Sequence, residues 1–285
     1  GHLSSWSLWG RDVQCMIATH SVPPLVDACL RGLVDGGTAR RVYEAVRRTL
    51  RERHADRQKE DWDVLDRLGY YPYDGIRESV SRTLECAYDD ECARRLAEKL
   101  GEKEDAAFFA RRAANWRNVF DGKTGFARPR MADGSWLEPF DPTDCGVFYG
   151  FTEANSWQYT WHVLHDLPGL LSALGGKEKT VEKLQLLFDN PVKGGRRWPT
   201  DASGVIGQFA HGNEPSHHIP FLFYLCDRPD LGEKWIRRIC AEFYRDAPDG
   251  LCGNDDCGQM SAWYVFAQLG FYPVDPCGGE YVLGA

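Results

Sequence analysis

Three short segments gather side chains of the types that do chemistry. In Phe151-Thr152-Glu153-Ala154-Asn155-Ser156-Trp157-Gln158-Tyr159, a carboxylate stands just before a helix start that Asn155 or Ser156 can cap. Glu153 there either complements the helix dipole or, beside Trp157, has the raised pKa of a general acid. In His211-Gly212-Asn213-Glu214-Pro215-Ser216-His217-His218, polar side chains crowd around a glycine and a proline at a loop entering a helix. Asn213 and Glu214 supply hard oxygen donors, which suit Ca²⁺ better than Zn²⁺. The adjacent His217 and His218 cannot share one helical face. Glu214 and Ser216 capping the helix is the plainer reading, but the density of polar groups favours a site. In Gly250-Leu251-Cys252-Gly253-Asn254-Asp255-Asp256-Cys257-Gly258-Gln259-Met260-Ser261, glycines on both sides let the backbone turn sharply around neighbouring carboxylates. Those acids repel, so one is metal-linked or has a raised pKa, unless the run is only a solvated cap before the last helix.

The elements that must position these segments read as helices. Leu25, Val26, Cys29, Leu30 and Leu33 form an apolar stripe within Pro23 to Leu33. A helix capped by Thr38 is expected from Thr38 to about His54, followed by others at Asp74–Tyr88, Asp90–Leu100 (closed by Gly101) and Lys103–Phe120. Further helices are expected at Ser156–Leu174, Lys177–Phe188, Ser216–Cys226, Leu231–Tyr244 and Gly258–Leu269. About ten helices joined by short Gly/Pro/Asp-rich connections suggest one all-α domain, an α/α toroid over residues 1–285 with its long loops at one mouth. Strand-like alternation is confined to Glu280–Leu283. Asp121 to Thr152 is too rich in Phe and Trp for a disordered linker and reads as an ordered loop.

A formal charge of −8 without a basic patch argues against nucleic acid as a partner, and no apolar run is long enough for a membrane span. None of the ten cysteines shows Cys-x-x-Cys spacing, so zinc is not indicated. Cys29, Cys86 and Cys240 sit in helical patterns as small core residues, and mostly free thiols are expected. Ten tryptophans suit a sugar-binding cleft as well as they suit a core.

Taken together, His211 to His218, Gly253 to Tyr264 and Thr152-Glu153 to Trp161 resemble the family 92 glycoside hydrolases, Ca²⁺-dependent exo-α-mannosidases. Gly69-Tyr70-Tyr71-Pro72-Tyr73-Asp74, Glu78-Ser79-Val80-Ser81, Tyr88-Asp89-Asp90 and Gly270-Phe271-Tyr272-Pro273-Val274 extend the likeness, in order, over essentially the whole chain.

The resemblance implies inverting removal of terminal α-linked mannose from oligosaccharides or glycoprotein glycans of the N-glycan or mannan type. Glu153 matches the family's general acid and Asp256 its general base, and Asn254 stands at a second catalytic position that is acidic in some members. Asn213 and Glu214 match the Ca²⁺-binding region, where the ion would meet the mannose O2 and O3 hydroxyls. Trp6, Asp12, His20, Trp157, Gln158, His211 and Asp255 would line the sugar pocket. Gly10-Arg11-Asp12-Val13 departs from the family's Gly-Asn-Glu-Thr. Members also carry an N-terminal β-sandwich domain and further toroid helices, and continue into strands beyond a segment like 280–285. The chain is therefore expected to be an interior portion of such an enzyme, a toroid incomplete at both ends that associates with the missing segment. Secreted, periplasmic or cell-surface placement follows from the family alone.

Two readings compete with the hydrolase. One is a non-catalytic mannose-binding or assembly fragment, which would bind sugar without turnover. The other is a Mg²⁺-dependent terpene cyclase, drawn from Asp89-Asp90 and Asp255-Asp256, against which the polar loop at 211–218 argues.

Overall fold

The computed structural model describes residues 2–13, 15–52, 61–191 and 202–284. The chain is mostly helical, with only two-residue strands among the described residues. It falls into two compact units. The first comprises Gly1–Asp121, Arg128–Glu138 and Pro276–Gly279; the second comprises Gly122–Ala127, Pro139–Asp275 and Glu280–Ala285.

In the first unit the helices are α1 (Val22–Leu30), α2 (Gly36–Arg51), α3 (Trp62–Leu68), α4 (Ser79–Leu100) and α5 (Lys103–Ala113). Asp35, rather than Thr38, caps α2: its carboxylate accepts the Thr38 N–H at 2.9 Å and also the Thr38 hydroxyl. The expected end of that helix near His54 lies outside the described residues. Helix α3 was not evident in the sequence; Asp61 caps its start and Gly69, in the left-handed region, closes it.

Helix α4 replaces the two helices expected at 74–88 and 90–100. It begins only at Ser79, after the bends around Pro72 and Gly75, and runs unbroken through Asp89 and Asp90 to the expected stop at Gly101. Its neighbours α1, α2 and α5 pack around it and bury it on nearly all sides. That burial takes four acids inside, and each has a partner. Glu85 pairs with His20 at 2.7 Å, Asp89 accepts the Thr19 N–H at 2.8 Å, Asp90 meets Arg112 Nε at 2.9 Å, and Glu91 bridges Arg94 and Arg95. Asp89 and Asp90 are thus each held inside a packed helix by a separate partner, Thr19 and Arg112. Helix α5 stops at Ala113 and tightens into a 3₁₀ turn, Ala114–Asn118, where the Asn118 amide donates to the Gly69 carbonyl.

In the second unit the helices are α6 (Ser156–Tyr159), α7 (Leu167–Ala173), α8 (Lys177–Asp189), α9 (Leu222–Leu225), α10 (Pro229–Phe243) and α11 (Gln259–Leu269). The long helix expected over 156–174 is broken into α6 and α7. Pro168 has no N–H to carry the hydrogen-bond ladder on from α6 but suits the first turn of a new helix, which Asp166 starts by accepting the Gly169 N–H. Pro215 and Pro220 likewise reduce the helix expected over 216–226 to two 3₁₀ turns and α9. The strand expected near the end is present: Val282–Leu283 pairs antiparallel with Phe271–Tyr272. An aromatic core of Phe188, Phe209, Phe223 and Trp235 fixes this unit, with Phe188 stacked on Trp235 at 4.3 Å. All ten cysteines are free thiols; Cys29 and Cys86 are buried and Cys240 is half-buried. Among the described residues no helix is long and apolar enough to cross a membrane.

Candidate active site

All three segments singled out in the sequence belong to the second unit. The loop that ends at Glu153 is pinned at its neck. Cys145 and Asn155 form an isolated bridge, and the Gly146 N–H donates to the Ala154 carbonyl at 2.9 Å. Asn155 then starts α6 with a capping box: its side chain accepts the Trp157 N–H, and Gln158 Oε1 accepts the Asn155 N–H. The capping role is filled by Asn155 and Gln158, so Glu153 is not needed for it. Gln158 spends the other end of its buried amide on the Gln208 carbonyl, and Asn155 donates to Gln208 Oε1. Trp157 is buried edge-to-face on Phe126, with its indole N–H unpartnered. Lys183 Nζ lies 3.1 Å from the Phe126 ring centre, and burial lowers that ammonium to about 7.

Asn213 is buried and turns away from the 3₁₀ turn that follows it. Instead, its amide donates to Glu153 Oε2 at 3.3 Å and to the Glu153 carbonyl at 3.4 Å. Glu214 shares a side-chain hydrogen bond with Asp256. Burial first, and then the carboxylates of Asp256 and Glu153, push it up to about 7. These relations set Asn213 against Glu153 and Glu214 against Asp256, with Glu153 near enough to act on Glu214 through its charge.

Each of the three histidines of the segment is held by a hydrogen bond at Nε2. His211 Nε2 meets the Tyr244 hydroxyl at 2.7 Å, His217 Nε2 the His211 carbonyl at 2.9 Å, and His218 Nε2 the Trp161 carbonyl at 2.8 Å. Burial lowers His217 to about 4 and His218 to about 3, and holds His211 well below its ordinary value, so all three are neutral.

In the third segment Asp255 does what the plainer reading expected. Its Oδ1 accepts the Ser261 N–H and hydroxyl, capping the first turn of α11. Asn254 is exposed. Asp256 is held differently: it is half-buried at φ +36°, and Cys257 follows at +54°. Glu153 lies at +51°. Left-handed backbone at a non-glycine residue costs ~1–3 kcal/mol and persists only where surrounding contacts enforce it, often at functional sites. Both candidate catalytic carboxylates carry this strain. The glycines have a different task, close approach: a Cβ on Gly253 would lie 2.9 Å from the Gly212 carbonyl, and one on Gly212 would overlap the Ser203 hydroxyl.

Trp6, Asp12 and His20 belong to the first unit. Trp9 and Gly10, both at positive φ, make the two-residue turn of a hairpin joining Ser7–Leu8 to Arg11–Asp12. Asp12 accepts the backbone N–H groups of Ser5 at 3.0 Å and Trp6 at 3.4 Å, which ties down the loop carrying the half-buried Trp6. His20 is exposed and paired with Glu85.

No three His, Cys, Asp or Glu side chains form a ready-made metal cage among the described residues. The oxygen donors available to a hard cation are those of Asn213 and Glu214, with Asp256 against them.

Against known families, the model for the glycosyl hydrolase family 92 catalytic domain matches residues 1–285. The chain belongs to that family. Its fold is that of the family's α/α-toroid catalytic domains. It superposes on a family 92 α-mannosidase from Bacteroides thetaiotaomicron, determined with mannoimidazole, at a TM-score of 0.91 and 38% identity, covering 100% of this chain and 37% of that one. A family 92 inverting mannosidase from the same organism matches at a TM-score of 0.85 and 35% identity, covering 100% of this chain and 40% of the other. An uncharacterized secreted glycosidase of Arthroderma benhamiae is 30% identical, over 87% of this chain and 34% of its own length. The chain thus spans little more than a third of the length of the relatives it matches.

Proposed function

We propose that this chain supplies the acid, the base and the calcium-binding residues of an inverting α-mannosidase that removes terminal α-linked mannose from glycans. The observation that carries the reading is the convergence of Glu153, Asn213, Glu214 and Asp256, with the two acids of the proposed reaction on strained backbone. Similarity to family 92 mannosidases supports the substrate class.

Glu153 acts as the general acid, giving its proton to the departing glycosidic oxygen. The Asn213 amide, donating to Glu153 Oε2, orients that carboxyl group. Asp256 acts as the base and takes a proton from the attacking water on the opposite face of the sugar. Asn213 and Glu214 fit a calcium site chemically, because they offer only hard oxygens and because a cation would relieve the repulsion among three neighbouring carboxylates. Two protein donors leave most of the six to eight positions that Ca²⁺ takes to water and to sugar hydroxyls. Bound there, the ion would supply Lewis-acid polarisation of those hydroxyls.

The stereochemical outcome tests the pairing of acid and base. Proton NMR during the first minutes of mannoside hydrolysis is expected to show β-mannose forming ahead of mutarotation. Initial α-mannose would mean a retaining double displacement, and Asp256 would not be the base. Calorimetric binding of mannose without any turnover would favour the non-catalytic fragment instead.

A further inference from the structure

The segment that carries Asn213 and Glu214 is tied to α11, the helix that follows Asp256, through two buried histidines. Backbone carbonyls, which can only accept hydrogen bonds, fix the direction of every bond in these ties. The His211 carbonyl accepts from His217 Nε2 at 2.9 Å, so the proton of His217 must sit on Nε2. Burial keeps the ring neutral, so its Nδ1 is a bare lone pair and needs a donor. The Gln259 amide nitrogen supplies one at 3.1 Å. With the amide turned over, its oxygen would face that lone pair, so one orientation alone satisfies the chain. The second tie works in the same way. The Met260 carbonyl accepts the Tyr244 O–H at 2.9 Å, so the hydroxyl must accept from His211 Nε2–H at 2.7 Å. Trp263 adds its indole N–H to the His217 carbonyl at 2.9 Å.

We propose that Gln259 is a positioning residue of the active site: by donating to the Nδ1 lone pair of His217, whose tautomer the His211 carbonyl sets, it locks the 211–214 backbone to the start of α11 and so sets Glu214 against Asp256. Gln259 is suited to this because its own N–H donates to the Asp256 carbonyl at 3.0 Å, so one residue holds both loops. Without the amide, the buried Nδ1 lone pair of His217 has no donor and the tie from the ring to α11 is lost, so the backbone leading to Asn213 and Glu214 would shift. The proposal rests on the mannosidase reading for its effect on turnover, but not for the hydrogen-bond arrangement itself.

Gln259→Met keeps the length of the side chain and removes the amide. In the intact protein, kcat for α-mannobiose is expected to fall ~10–100-fold, the range for partners that orient a ligand-bearing residue. KM should change much less, and the melting temperature by about 2–4 °C, the effect of one hydrogen bond. His217→Phe separates positioning from general destabilisation, because without the imidazole Gln259 has no Nδ1 lone pair to hold. Gln259→Met should then add little to the loss. Equal losses in both backgrounds, or none in either, would overturn the proposal. Long-range ¹⁵N–¹H spectra of histidine-labelled protein read the tautomers without substrate. Nε2–H at His217 supports the lock and Nδ1–H overturns it, even if the protein has no mannosidase activity.

Discussion

Glu153→Gln is expected to lower turnover of α-1,2-mannobiose by ~100- to 10,000-fold, the usual contribution of a general acid. The amide keeps the size of the side chain and can still accept from Asn213, but it has no proton to give a sugar leaving group. Aryl mannosides with acidic phenols leave without protonation, so their hydrolysis should fall far less. The ratio between the two substrates is therefore more informative than either rate. Equal losses on both would point to disturbed geometry around Asn213 and Glu214. Full activity on mannobiose would remove Glu153 from the mechanism.

Arg112→Met is expected to be the most damaging single change to the first unit. The guanidinium is buried against Asp90 at 2.9 Å, donates to the Leu50 carbonyl at 2.8 Å and lies 4.5 Å from the centre of the Trp62 ring. Met restores much of the volume but leaves a buried carboxylate without its counter-charge, a loss of ~3–5 kcal/mol. The melting temperature should drop by about 10 °C near pH 8. The pH dependence follows from Asp90, which burial raises to about 7 even with Arg112 beside it. A carboxyl group whose folded pKa lies above its unfolded value binds more protons when folded, so it loses stability as pH rises through that window. Without Arg112 the folded value climbs further. The gap between variant and wild type should therefore widen above pH 7 and narrow towards pH 4, where folded Asp90 is protonated in both proteins. Thermal melts across that range measure it, and a gap that does not vary with pH would show that lost packing dominates.

Where the sequence carried local chemistry, it was readable. Gly and Pro mark the 211–218 and 250–261 turns, and the caps at Asn155 and Gly101 stand where side-chain and backbone preferences place them. Long-range satisfaction was not readable. Asp89 and Asp90 look like a helix end because buried acids are costly alone, and the partners that make α4 continuous, Thr19 and Arg112, come from elsewhere in the chain. The apolar spacing of 156–174 suggested one helix, but Asp166 and Pro168 overrule it locally. Gln208 and Tyr244 gave no signal, and Gln259 stood in a chosen segment without a role, since these side chains meet partners 33 to 53 residues away. Nor does any one linker mark the two units, because the chain passes between them within the loops at 121–139 and again at 275–280.

Mannose release from α-1,2-mannobiose, followed with calcium, with a chelator and after calcium is restored, tests the central claim most directly. The expected result is turnover that stops on chelation and returns with Ca²⁺, because in the proposed site Asn213 and Glu214 would hold the ion beside the carboxyl groups of Glu153 and Asp256. Turnover that continues undiminished in the chelator would contradict the calcium assignment. A folded, calcium-loaded full-length protein that cleaves no α-mannoside of any linkage would contradict the mannosidase itself.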